Sequence, residues 1–205
     1  MSKPDKSIDP LIINSAKKEF LEKGFEGASL KQICANAKVT TGALYKRYSG
    51  KEDLFSAVVA DVVNDMNEAV EQKRALDVKK LSDKELIESW EMDKDYMMWW
   101  YKFLYERYDG FVLLLCHSQG TKYADFEREW VDKMTTITYG YYREAYERKI
   151  TATDLSKKEV HILLTAFWAT IYEPFIQGYS LDEIDKHCDL ICRLFNWKKT
   201  LGFRQ

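Results

Sequence analysis

Thr40, Thr41 and Gly42 stand directly ahead of Ala43-Leu44-Tyr45-Lys46-Arg47, an order of side chains that suits the reading of double-stranded DNA. A helix that enters the major groove N-terminus first needs small residues at its tip, because bulk there blocks approach to the base edges. Thr hydroxyls reach phosphates or bases, and a Thr methyl packs on the thymine methyl. Lys46 has the reach and charge for guanine O6 and N7, Tyr45 offers a hydroxyl to a phosphate, and Arg47 divides evenly between phosphate and solvent. The plainer alternatives are a solvated Lys46 and a Tyr45 that only packs its ring. Ser29 is placed to cap the preceding helix, whose first N–H groups then face a phosphate. Lys51 opens the following helix and favours the same backbone.

These residues need a scaffold, and the spacing supplies one. Asp9 as N-cap and Pro10 open a first helix with Ile13, Ala16 and Phe20 inward, closed by Gly24. Ser29 and Gln32 form a capping box for a second helix with Leu30, Ile33 and Ala37 inward. Lys38-Val39 make a turn, and Thr40 caps the third helix. Ser49 and Glu52 predict a further capping box and a fourth helix over 51–72. Three short helices in this succession read as a helix-turn-helix.

The charge distribution agrees with that division. Residues 1–51 hold ten Lys and Arg against five Asp and Glu, a net +5, whereas residues 52–205 hold 21 against 28, a net −7. A basic head on an acidic body suits nucleic acid at one end only. Composition is 46% hydrophobic and 31% charged, that of a globular chain, and no apolar run approaches the ~18 residues of a membrane span. Lys3 and Lys6 have no apolar stretch behind them, which predicts no signal peptide and a cytoplasmic location. Cys34, Cys116, Cys188 and Cys192 form no CxxC pair, so reduced thiols are expected, with no metal and no cofactor.

Residues 12–55 resemble the DNA-binding domain of the TetR family of transcriptional regulators. The likeness rests on Ala16, Phe20, Gly24-Phe25, Ser29, Ile33-Cys34, Ala37, the run Val39-Thr40-Thr41-Gly42-Ala43-Leu44-Tyr45, Tyr48 and Lys51-Glu52-Asp53-Leu54. Lys46-Arg47 departs from the aromatic or His residues common there. The resemblance implies an all-α protein: an N-terminal three-helix DNA-binding domain over 1–50, then a larger helical ligand-binding and dimerisation domain over 51–205. It also implies a homodimer through residues 156–200 and a pseudo-palindromic operator.

The remainder of the chain also reads as helical. Ser82 and Glu85 open a helix toward Trp90, another covers about 93–107, Asp109-Gly110 breaks the pattern, and 111–117 resumes it. Gln119-Gly120-Thr121 makes a second break before a long helix to about Arg148. Ser156-Glu159 and Ser180-Glu183 start the last two, the first kinked by Pro174 and the second with Ile184, Cys188, Ile191, Leu194 and Phe195 inward. Large aromatics crowd this region. Trp99, Trp100, Phe103, His117, Trp130, Trp168, Tyr172 and Glu173 are the candidate ligand-binding residues, for a small, largely apolar or aromatic effector. A helical core built from large rings is the plainer alternative. With Ser118 and Gln119 they offer a few polar groups, and Glu173 would suit a cationic ligand. No P-loop, GxGxxG, GxSxG or HExxH occurs, so an enzyme has no support. The remaining alternative is a helical dimeric scaffold with weak, non-specific DNA binding.

Overall fold

A computed structural model describes residues 8–203; Lys3 and Lys6 lie outside the described residues. Among the described residues the chain is all-α. Its helices are α1 (Asp9–Gly27), α2 (Leu30–Ala37), α3 (Thr41–Tyr45), α4 (Lys51–Arg74), α5 (Asp83–Glu88), α6 (Lys94–Tyr105), α7 (Tyr108–Cys116), α8 (Phe126–Glu147), α9 (Lys157–Ile176), α10 (Leu181–Leu194) and α11 (Trp197–Thr200). One isolated bridge, Thr151 with Phe203, is the sole β-type pairing among them. No described helix is long and apolar enough to cross a membrane.

Two compact units form. The first comprises Met1–Asp65 and Arg107–Phe126, the second Met66–Glu106 and Glu127–Gln205. The division therefore differs from a boundary at residue 50, because α7 belongs with the N-terminal helices. α1 packs on α2 and α7, and α2 packs on α3. Arg107 Nε donates to Asp65 at 2.6 Å, and the Phe25 N–H donates to the His117 carbonyl at 3.0 Å. Asp109-Gly110 does not break the helix. Gly110 lies inside α7, where an added Cβ would stand 3.0 Å from Val62 Cγ1, so the glycine serves close helix packing.

Ile12, Ala16, Phe20, Ile33, Leu44, Leu54 and Phe55 are buried in the first unit's core. Phe20 and Phe25 both meet Phe55 edge to face, at 5.1 and 5.6 Å between centroids. Full burial of Phe20 and of Phe55 contributes roughly 1.5–3 kcal/mol each, and the half-buried Phe25 less. Ile12 takes the fully buried place expected of Ile13, and Leu30 is only half-buried.

The local signals fare unequally. Gly24 does interrupt α1, at φ 68°, ψ 171°. Ile8, not Asp9, is the N-cap, which leaves Asp9 in the first turn. Capping boxes form at Ser82–Glu85, Ser156–Glu159 and Ser180–Glu183. The other two give way to a mixture of neighbours one helical turn on and partners from elsewhere in the chain. Gln32 turns to Asn36, and the Ser29 N–H is taken by the buried Glu19 carboxylate at 3.1 Å. Ser49 N–H donates to Asp53 at 2.8 Å, while Glu52 accepts from the Lys122 N–H at 3.1 Å.

In the second unit α6 packs on α10, where Lys94 bridges Asp185 at 3.0 Å and Asp189 at 3.1 Å. Pro174 lies within α9, which continues through it to Ile176. Ile184, Cys188 and Ile191 are buried as expected, but Leu194 is exposed because α10 stops there and α11 brings Trp197 into the core instead.

Candidate functional site

The tip of α3 is built by its cap. Thr40 has extended backbone (φ −81°, ψ 154°), and its Oγ1 accepts the Ala43 N–H at 3.1 Å. This arrests the chain at the start of a five-residue helix and leaves Thr40, Thr41 and Gly42 exposed. Leu44 points into the core, so the residue after it on the turn faces out: Tyr45 is 56% exposed. A tyrosine that only packed would not be placed so. Lys46 is exposed too, and α1 is tied to α2 by Ser15 Oγ donating to the Ile33 carbonyl at 2.9 Å.

Arg47 and Lys51 behave differently. The Arg47 side chain is 10% exposed, pairs with Asp9 and donates to the Ala43 carbonyl at 3.0 Å. Lys51 Nζ donates to the Glu26 carbonyl at 2.9 Å and the Ala28 carbonyl at 3.1 Å, and lies 4.8 Å from the Phe25 ring centre. Both cations hold the head together: one ties α1 to the end of α3, the other caps the C-terminal carbonyls of α1. Ser29 Oγ accepts the Gln32 N–H at 3.4 Å, as a cap should. With the Ser29 N–H given to Glu19, the first-turn donors left for an anion are those of Leu30 and Lys31.

In the second unit six of the eight candidate ligand-binding residues share one ring network. Trp99 stacks on Phe103 at 5.5 Å and meets Trp100 edge-on at 5.1 Å. Trp100 meets Trp168 at 6.0 Å, and Trp168 meets Trp130 at 5.5 Å and Tyr172 at 5.8 Å. His117 is not among them: it ends α7 in the first unit, with Nδ1 3.8 Å from where a Cβ on Gly24 would be. Ser118 belongs to the same unit, bonded to the Leu114 and Tyr123 carbonyls. Glu173 is exposed and accepts from Gln177 at 3.3 Å. The rings border two spaces. An open groove of about 410 Å³ is walled by Trp99, Trp100, Tyr96 and Tyr141, and a narrower recess of about 10 Å³ lies among Trp100, Trp168, Met134 and Leu164. A recess of that size holds one water at most.

Residues 12–58 match the family model for bacterial regulatory proteins, tetR family. The N-terminal segment is a TetR-family DNA-binding domain. The chain is also 40% identical over 48 residues to the HTH-type transcriptional regulator UidR of Escherichia coli K12, covering 23% of this chain and 24% of UidR. The match thus spans about a quarter of that curated relative. The whole fold is similar to a TetR-like transcriptional regulator from Rhodococcus sp. RHA1, with TM-score 0.63 and 17% identity, covering 98% of this chain and 100% of that one. It is also similar to the transcriptional regulator FadR from Bacillus subtilis in complex with stearoyl-CoA, with TM-score 0.54 and 16% identity, covering 89% and 96%.

Two cations escaped the sequence reading. Lys38 ends α2 of the TetR-family segment in the left-handed conformation (φ 55°), an exposed basic residue two positions ahead of the Thr40 cap. Its place in the Lys38-Val39 turn was the available signal, although a lysine does not itself announce a left-handed conformation. Lys73, near the end of α4, lines both groove and recess. Its sequence context of Glu71-Gln72-Lys73-Arg74 looks like a solvated helix end, and nothing local marks it.

Proposed function

We propose that this chain is a ligand-responsive transcriptional regulator, a repressor that binds a pseudo-palindromic operator as a homodimer and is released by a small, largely apolar or aromatic molecule. One observation carries the reading: Thr40, Thr41, Gly42, Tyr45 and Lys46 all stand exposed at a capped helix tip while Leu44 anchors that helix in the core. Such a tip fits the major groove, and nothing in the unit's own packing requires it. Thr40, Thr41 and Lys46 act at base edges, Tyr45 and the α2 N-terminus at phosphates.

The dimer reading is supported by apolar side chains left outside on α9 and α10: Ile162 is 67% exposed, Leu190 56% and Leu194 70%. A second copy burying these through residues 156–200 would give the two-fold axis that a palindrome needs. α4 runs unbroken from Lys51 to Arg74 and so contributes residues to both units. It is the element through which effector binding biases the reading head. The chain acts in the cytoplasm and catalyses no reaction.

The test is selection from a randomised double-stranded DNA pool at two salt concentrations. A pseudo-palindrome that survives the higher salt is expected; sequence-blind binding erased by salt sinks the operator reading and favours a scaffold.

A further inference from the structure

The groove of the second unit carries an unbalanced charge. Lys73 lines it and the adjoining recess, half-buried, with its ammonium 5.5 Å from the Tyr141 ring centre. Two carboxylates stand on the same groove, yet each has another partner. Glu88 pairs with Lys84 at 3.6 Å and Glu91 with Lys198 at 2.6 Å. The nearby Glu71 pairs with Arg74 and Lys133. Among the described residues no carboxylate pairs with Lys73. The ring face and the carbonyl end of α4 offset its charge only in part. Burial lowers its pKa from the ordinary lysine value, the sign of an ammonium that has lost water without gaining an anion.

A second, independent observation lies in the recess. Of the buried tryptophan N–H groups without an acceptor, those of Trp90 and Trp197 among them, the one at Trp168 belongs to a residue that lines that space. A buried N–H without a partner is costly, and an acceptor atom entering the recess would relieve it. Apart from Thr138, whose hydroxyl is given to the Met134 carbonyl, the recess around these two donors is walled by aromatic and aliphatic side chains.

We propose that this groove and recess take a ligand with an aromatic or aliphatic body and one carboxylate, with Lys73 receiving the charge and Trp168 Nε1 offering a neutral donor. One cation with neutral donors matches one negative charge; a phosphate ester would call for more basic groups than the walls hold. The inference rests on reading the second unit as the effector site, and it replaces the cationic ligand that Glu173 suggested. Since the recess holds about 10 Å³, the ligand's body must part Trp100 and Trp168 to enter.

Three probes sharing one body separate the head groups: phenylbutanoate, phenylbutanol and phenylbutylamine, titrated into the full-length protein and followed by tryptophan fluorescence. Phenylbutanoate should bind about tenfold tighter than phenylbutanol, and the amine weakest. Lys73→Met should erase the acid's advantage while keeping the alcohol's affinity, which shows the site still folded; Lys73→Arg should retain most of it. Equal affinity across the three probes, tighter binding of the amine, no binding of any probe, or an acid preference that survives Lys73→Met each overturns the inference. Operator affinity measured separately with saturating phenylbutanoate tests the switch: acid binding that depends on Lys73 but leaves operator affinity unchanged overturns the release mechanism and leaves the ligand class standing.

Discussion

The hydroxyl of Tyr101 donates to the carbonyl oxygen of Thr170 at 3.2 Å. That carbonyl is free because the residue four positions on is Pro174, which has no N–H to give. His187 Nε2 lies 3.0 Å from the same oxygen. A helix defect in α9 is thus repaired by one side chain from α6 and one from α10. The repair fixes the packing of α6, which carries Trp99 and Trp100, and it explains why Tyr101 and Pro174 are buried.

Tyr101→Phe should therefore lower unfolding free energy by about 0.5–1.5 kcal/mol, with His187 limiting the loss. In a Pro174→Ala background the restored Ala N–H competes for the carbonyl, and the same Tyr101→Phe change should cost less. Urea denaturation of the four proteins of the cycle measures this coupling. Additive effects would mean that the carbonyl is not what links the two residues.

Neighbouring cations in the reading head should separate by role. Lys46→Met should leave the thermal midpoint unchanged while weakening operator binding and reducing the salt slope by about one. Arg47→Met removes the partner of Asp9 and the bond to the Ala43 carbonyl, so it should lower the midpoint by several degrees. Calorimetry and salt titration together decide the assignment; a stable Arg47→Met protein with a reduced salt slope would return Arg47 to the phosphate.

Lys38 holds a left-handed backbone at φ 55°. Replacing it by glycine relieves that strain and should stabilise the head by about 0.5–1 kcal/mol, while the lost charge weakens operator binding at low salt. The two readouts moving in opposite directions distinguish a DNA contact from a structural lysine. Unchanged operator affinity would leave Lys38 with the turn alone.

Thiol chemistry should follow burial. Cys116 is exposed, whereas Cys34 and Cys188 are buried, and burial pushes the Cys188 thiol up to about 12. At pH 8 its thiolate fraction is on the order of one in ten thousand. Iodoacetamide should label Cys116 first and reach Cys188 only on unfolding, as mass spectrometry of peptides would show. Because the folded thiol holds its proton more tightly than the unfolded one, this group's contribution to stability is intact below about pH 9 and declines as pH rises toward 12.

Local chemistry sufficed wherever a residue's partner lies within one helical turn. The boxes at Ser82, Ser156 and Ser180, the Thr40 cap, the break at Gly24 and the TetR-like run from Val39 to Tyr45 were all legible in the chain, because each is a contact between residues a few positions apart. The helical period also placed Phe20, Ile33 and Leu44 inside. What depended on distant partners was not legible. Ser29 meets Glu19 across a turn, Arg47 meets Asp9 across 38 positions, and Lys51 reaches back to the end of α1. A long cation has the same sequence signature whether it points to solvent, to a carbonyl or to a ligand, since only the neighbours brought up by folding select its rotamer. For the same reason residue type alone grouped His117 and Glu173 with Trp168, as polar groups among aromatics. Tertiary packing sent the first to the other unit and the second to solvent, and brought in Lys73, whose charge has meaning only because the folded groove leaves it without an acid.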